Sequence, residues 1–514
     1  MRESLVFLII LCGLVTIIDS LNILILCPTP IYSHQLPLVS LVKGLLDRGH
    51  GVTVIGQNSI PNQGENFTLV DLSSASDYFA SKEDAKARVN SQRPLTKWEM
   101  IGMMPSYLKV IEGQLSSESF QRFKSEVERK NVSFDTVIID SMFVTHLAVA
   151  AGMLTRGSKP IIGFTTTSSD LLLGQHLGSF DHLSFSPSMY SSHSDKMSIF
   201  QKIENWACHQ YISWRVQSIM KDSALAFFRQ YFGDATPAVV EDSWRNIGLL
   251  MMATNSLYSY PRLHGPNIIE LGAMHIQEPP EALSKNVQQF CDGAEAGVIY
   301  FSMGSSVATK SLTDYVIASF VRVFAELPPE WRVLWKWESD QPLPEKSENI
   351  LTQKWFQQQS VLAHPKVKVF ITQGGLQSFQ EAVHFGVPTV GISWFADQEM
   401  NVGKMVNAGV GLRLDSPMLT SYDLIKQTID KIRSDDSYEN NMKRYSEKTK
   451  DFTKRSVETA VFWVEYVSKL GDVSHLRPST AHATFVEFFC LDILTVAVIT
   501  TALLLYGGHG LLKL

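Results

Sequence analysis

Cysteine is scarce in this chain, with five in 514 residues. No two stand at C-x-x-C spacing, so neither a zinc knuckle nor a dithiol redox centre is expected, and no metal site. Cys12 and Cys490 fall in apolar runs at the two ends. Cys27, Cys208 and Cys291 remain, and three thiols cannot all pair, so no disulfide framework is expected. Positive charge is also in deficit: 45 Lys and Arg stand against 51 Asp and Glu, a net charge of -6. With no basic stripe interleaved with aromatics, nucleic acid is excluded as a partner.

Long apolar runs occur only at the ends. Leu5–Ile18, after Met1-Arg2-Glu3 and before Ser20, reads as a secretory signal peptide over residues 1–20. Phe488–Tyr506 reads as a transmembrane helix, with Glu487 and Asp492 at its leading end, where carboxylates reach the interface. The expectation is a type I single-pass protein, tethered to a membrane by that C-terminal helix, with a lumenal body and a short cytoplasmic tail at 507–514. Asn66-Phe67-Thr68 and Asn131-Val132-Ser133 are glycosylation sequons that such a topology would expose.

The body is too long for one core, and two domains are expected. Leu21–Cys27 reads as a strand, Gln35–Arg48 as a helix with Leu38, Leu41, Val42 and Leu45 on one face, and Val52–Ile55 as the next strand. His34 stands at the first strand-to-helix handover, where the helix start disfavours imidazolium and leaves the neutral ring a base requires. Phe134–Asp140 reads as a buried strand ending in a carboxylate at the same edge, placed to orient that histidine. The plainer alternative is that His34 opens a helix and Asp140 ends a strand. Ile101–Leu108 and Ala224–Phe232 are apolar enough to line a pocket, but packing on a core is the favoured reading.

A second strand series begins at Val298–Phe301, followed by Ser302-Met303-Gly304-Ser305, then Arg332–Trp337. It leads to the most informative stretch, residues 355–398. Val367–Thr372 is a strand, broken by Gln373-Gly374-Gly375; Ser378–Phe385 is helical, Thr389–Ile392 is a strand, and Trp394–Gln398 is its exit. Glycines after a strand and a helix start favour anionic oxygens. Trp355 and Gln358, one helical turn apart, would offer a stacking face and an amide. Glu381 could accept from ribose hydroxyls, and Asp397-Gln398 could grip sugar hydroxyls.

In this order and spacing these residues resemble the signature of the UDP-glycosyltransferases, the glucuronosyltransferase-like family, and look most like its insect members. The resemblance implies an α/β fold of the GT-B kind, two Rossmann-like domains facing a cleft: an acceptor-binding domain at 21–276, a UDP-sugar-binding domain at 277–470, and a juxtamembrane linker at 471–487. It gives Trp355 and Gln358 to uracil, Glu381 to ribose, Ser305, Gln373, Gly374 and Gly375 to the diphosphate, and Gln377 to donor binding. Asp397 and Gln398 fall to the sugar. His34, within Ser33-His34-Gln35-Leu36-Pro37, becomes the catalytic base and Asp140 its partner. Gln373 stands where His is frequent, and Ser393 where Pro is. No D-x-D pair occurs, so no metal is implied, and the UDP-sugar is a co-substrate rather than a cofactor. The implied activity is inverting transfer of a hexose, glucose by the insect likeness, to a hydroxyl of a small lipophilic acceptor. UDP-glucuronate as donor, and a tethered binding protein without turnover, are the alternatives. The implied residence is the endoplasmic reticulum membrane, although of a dilysine signal only Lys513 is present. A homo-oligomer is left open.

Overall fold

The computed structural model describes residues 20–29, 31–57, 64–73, 95–168, 170, 172–179, 181–233 and 237–511; the expected signal peptide, apart from Ser20, lies outside them. Thirteen described strands form two sheets, both wholly parallel. The first holds β1 (Asn22–Cys27), β2 (Gly51–Gly56), β3 (Phe67–Asp71), β4 (Thr136–Asp140), β5 (Ile161–Thr165), β6 (Ile247–Met252) and β7 (Ile268–Glu270), in the order β3-β2-β1-β4-β5-β6-β7. The second holds β8 (Gly297–Phe301), β9 (Trp331–Lys336), β10 (Ile350–Gln353), β11 (Val367–Thr372), β12 (Thr389–Gly391) and β13 (Gly411–Arg413), in the order β10-β9-β8-β11-β12-β13.

Both faces of each sheet are covered, which explains why the central strands read as unbroken apolar runs. Along β1, Leu24 and Leu26 join a core with Ile139, while Ile23 and Ile25 point to the opposite core with Leu41. The helices used below are α1 (Tyr32–Asp47), α2 (Lys97–Leu115), α3 (Val144–Thr155), α4 (Ile199–Phe232), α5 (Leu376–Phe385), α6 (Gln398–Asn407), α7 (Ser437–Leu470) and α8 (Leu491–Leu511). In α4, Ala224, Phe227 and Phe228 are core; α2 divides, with Ile101 and Leu108 buried while Met104 and Tyr107 face the cleft described below.

Helix α7 has 34 residues and so extends about 51 Å. Its Met442 packs with Phe379 and Val402 beside the second sheet, and its Val461, Val464 and Val467 pack with Ile23 and Leu41 on the first. The two domains are thus joined by a shared helix as well as by the coil at 277–284.

The expected membrane anchor is overturned. Among the described residues no helix is long and apolar enough to cross a membrane. The expected span Phe488–Tyr506 is not one helix: the chain turns at Cys490, whose φ is +53°, and α8 begins only at Leu491. The transmembrane part of the expected fold, the membrane as a partner, and the single-pass endoplasmic reticulum topology all rested on that span and are withdrawn with it. Cys27, Cys208, Cys291 and Cys490 are free thiols. Asn66 lies in an exposed turn before β3, and Asn131 is an exposed left-handed residue ending the helix Glu118–Lys130.

Candidate functional site

The carboxyl-terminal edges of both sheets face one cleft of about 570 Å³. Strand order in the first sheet reverses between β1 and β4; His34 follows β1, and Asp140 ends β4. In the second sheet it reverses between β8 and β11; Ser305 follows β8, and Gln373 follows β11. At such a reversal the connecting segments leave to opposite faces and open a crevice where ligands bind. His34, Ser305, Trp355, Gln358, Gln373, Gly375, Gln377, Glu381, Asp397 and Gln398 all line the cleft. Asp140, buried, and Gly374 stand behind its wall.

His34 occupies the first turn of α1. Burial holds its imidazole below the usual range, against the opposing pull of the Asp140 and Asp397 carboxylates; the helix start acts in the same direction as burial. Its Nδ1 is closed off from solvent without a hydrogen-bond partner. The direct hydrogen bond by which a His34 ring N–H would donate to Asp140 is not formed. One carboxylate oxygen of Asp140 accepts from the Thr29 hydroxyl, and the other from the Met142 amide at 3.0 Å. Asp140 therefore acts on the ring through its field.

On the other wall Trp355 is 53% exposed. It lies in coil, because the short helix here spans only Gln358–Leu362. Trp355 and Gln358 do not share the expected helical turn, yet both face the cleft. The Trp355 ring meets Tyr32 edge-on at 5.5 Å, and the Lys336 ammonium lies 5.1 Å from its centre. Gln358 Nε2 donates to Glu381 Oε2 at 2.6 Å and to Ser378 Oγ at 3.0 Å. Glu381 Oε1 lies 3.3 Å from both Gln359 Nε2 and His275 Nε2.

Between these groups lies the glycine loop. Gly374 has φ +81° and Gly375 caps α5, leaving that helix's first amides directed at the cleft. The Gln373 Oε1 accepts from Thr372 Oγ1 at 3.0 Å, which turns Nε2 toward the loop after β8. Gly304 there has φ +70°, and a Cβ on it would collide with Gln373 Nε2. The two loops touch, and together they make one cradle of donors.

Several expected donor groups are engaged across the domains. Asp397 Oδ2 accepts from the Ser168 amide at 3.1 Å and its hydroxyl at 2.9 Å. Gln377 Nε2 donates to the Thr166 carbonyl at 3.0 Å, a tie between domains. Gln398 Oε1 takes the Trp394 and Phe395 amides at 2.9 and 3.2 Å, which leaves its Nε2 as the half free to meet a ligand.

Sequence reasoning missed Lys336, which is buried and donates to the Gly304 carbonyl at 2.8 Å and to Glu338 Oε1 at 2.7 Å. A lysine between Trp335 and Trp337 at a strand's carboxyl end was the signal available. It also missed Tyr32, His275 and Gln359, whose sequence contexts carry no motif. Near His34 the cleft is apolar, with Met100, Met104, Met142, Phe143 and Met189; Tyr190 stays a neutral hydroxyl there, pushed to about 12 by burial and then by Asp397.

The family model described as UDP-glucoronosyl and UDP-glucosyl transferase matches residues 23–511. UDP-glucosyltransferase 2 of Dactylopius coccus is 30% identical over 504 residues, covering 97% of this chain and 94% of the relative. An ecdysteroid UDP-glucosyltransferase of Lymantria dispar multicapsid nuclear polyhedrosis virus is 27% identical, covering 96% of each. Among solved structures, the glycotransferase of kitacinnamycin superposes with a TM-score of 0.60 at 17% identity, covering 87% of this chain and 99% of that one. The last likeness concerns the fold.

Proposed function

This chain belongs to the UDP-glucoronosyl and UDP-glucosyl transferase family, and on that premise we propose that it moves glucose with inversion onto a hydroxyl of a small lipophilic acceptor. It transfers a sugar from a UDP-sugar donor to a small acceptor. The observation that carries the finer reading is the meeting of two strand-order reversals across one cleft, one bearing His34 and the other the glycine cradle.

In this scheme the neutral His34 ring takes the acceptor's hydroxyl proton as that oxygen forms its bond to the anomeric carbon. The bond from that carbon to the diphosphate breaks, and UDP departs with the electron pair. Attack from the face opposite the leaving group inverts the centre. Asp140 favours the imidazolium that results. The α5 amides, Gln373 and Ser305 receive the developing charge on the diphosphate. Trp355 stacks on the base, Gln358 reads its edge, and Glu381 binds ribose. Methionine at the acceptor wall suits lipophilic molecules of varied shape, because its thioether is unbranched and adaptable. Glucose is favoured over glucuronate because Asp397 would repel a sugar carboxylate, and the likeness to UDP-glucosyltransferases such as that of Dactylopius coccus points the same way.

The test supplies labelled UDP-glucose or UDP-glucuronate with a panel of phenols to the purified chain and to His34→Ala. Glucoside formed by wild type alone supports the reading. Glucuronide in its place would overturn the donor assignment, and equal turnover by His34→Ala would overturn the base.

A further inference from the structure

A second cavity, of about 520 Å³, lies beyond the Phe395-Ala396 turn. Met100, Tyr190, Phe395 and Ala396 line both it and the main cleft, so the two spaces meet along that wall beside the acceptor side. Nothing in the sugar-transfer scheme uses it.

Its floor is a wired polar group. Ser393 Oγ donates to Glu399 Oε2 at 2.7 Å, and Arg413 Nη1 donates to Glu399 Oε1 at 2.6 Å. Asp415 Oδ1 lies 3.4 Å from the same guanidinium nitrogen. Ser393 is the position where the resemblance led us to expect proline, whose ring has no donor and would leave that Glu399 oxygen unheld. The lip comes from the other domain, where Lys97 and Trp98 open α2. The Leu95 amide donates to the Trp394 carbonyl at 2.7 Å and fastens this lip to the floor.

The lining charges are all paired, Arg413 with Glu399 and Asp415, and Lys97 with Glu204 outside the cavity at 2.8 Å. An anion would meet two carboxylates and a cation would meet two cations. A neutral hydroxyl-rich group suits both, since a hydroxyl donates to a carboxylate and accepts from a guanidinium. Trp98, Trp394 and Phe395 add flat apolar faces for the C–H side of such a group.

We propose that this second cavity holds the neutral, hydroxyl-rich end of a two-ended acceptor, such as a polyol or a hexosyl group, while the lipophilic end presents its reacting hydroxyl to His34. The enzyme then takes, by preference, molecules already carrying one hydroxyl-rich substituent. This inference rests on the acceptor reading of the main cleft.

The experiment compares 4-butylphenol with the same phenol bearing a hexosyl group at the end of its butyl chain, scoring transfer to the phenolic oxygen. In wild type, kcat/KM is expected to be about tenfold higher for the extended phenol, the worth of one hydrogen bond to a charged group at the low end of its range. Ser393→Ala, which unties Glu399, and Trp98→Ala, at an exposed position, should each collapse that ratio toward one. A variant that merely folds poorly lowers both phenols together and keeps the ratio, and the other variant then decides. No preference in wild type, or a preference that survives in the folded variants, overturns the proposal. Failure of wild type to turn over 4-butylphenol at all would instead overturn the proposed function.

Discussion

Gly304→Ala gives the sharpest check on the glycine cradle. The new methyl would displace the Gln373 amide, since Nε2, Cδ and Oε1 of that side chain all lie in its way, the last two at 2.8 and 2.9 Å. These are the far atoms of a flexible side chain, so the amide swings off its Thr372 contact and the loops stay in place. The backbone also bears a cost, since φ +70° at a residue with a Cβ disfavours the fold by about 1–2 kcal/mol. An amide donating to a charged diphosphate is worth about 1.5–3 kcal/mol, which corresponds to a rise in the KM for UDP-glucose of about 10- to 150-fold. A double-mutant cycle separates the two effects. Gln373→Ala should raise KM by a similar factor, and adding Gly304→Ala to it should raise KM little further while still lowering the melting temperature. Initial rates at varied UDP-glucose and a thermal melt supply every corner of the cycle. A wild-type KM in Gly304→Ala, or KM effects that multiply in the double variant, would refute the claim that this glycine exists to seat Gln373.

Other outcomes follow from the same geometry. His34→Ala should lower kcat by about 10²- to 10⁴-fold, the usual worth of a general base, with an unchanged melting curve. Because the His34 pKa is held down, the acid limb of the rate profile should fall below the ordinary imidazole value of about 6.5. Asp140 pulls that pKa up, so Asp140→Asn should move the limb to still lower pH while slowing the plateau; a limb that moved up would contradict the assigned field. Glu381→Gln removes the charged acceptor facing Gln358 Nε2 at 2.6 Å and should raise the UDP inhibition constant about tenfold, as expected for one charge-assisted hydrogen bond. Val464→Ala on α7, at a fully buried position, should cost about 1–3 kcal/mol in denaturant unfolding.

The sequence disclosed the βαβ rhythm almost residue for residue in places. Val367–Thr372 is read as a strand and is one, because a branched apolar run flanked by glycine has few other uses. The residues expected at the site line one cleft because most of them follow a strand's carboxyl end, directly or on the helix after it, where turn chemistry interrupts an apolar pattern. What stayed hidden was who bonds to whom. Ser168 reaches Asp397, Gln377 reaches Thr166 and His275 reaches Glu381. Such partners lie far apart in the chain and are set by how two domains seat, which no local pattern encodes. Trp355 was placed on a helix because its spacing from Gln358 permits one, although the helix starts only at Gln358. The C-terminal run reads as a membrane span from its composition, whereas the chain turns at Cys490 within it and no described helix is long and apolar enough to cross a membrane.

The shared helix α7 gives the cleft a mechanical character. A hinge made of a single coil would let the two jaws drift about any axis. Here a continuous rod is bolted to both, through Met442 at one end and Val461 and Val464 at the other. With the coil at 277–284 it forms a second strap between the jaws, and two straps define an axis. Opening must then turn the jaws about the line joining them or flex the rod itself. Beside the Asp397–Ser168 and Gln377–Thr166 ties within the cleft, the width of the mouth is thereby governed also by side chains that never meet sugar, nucleotide or acceptor.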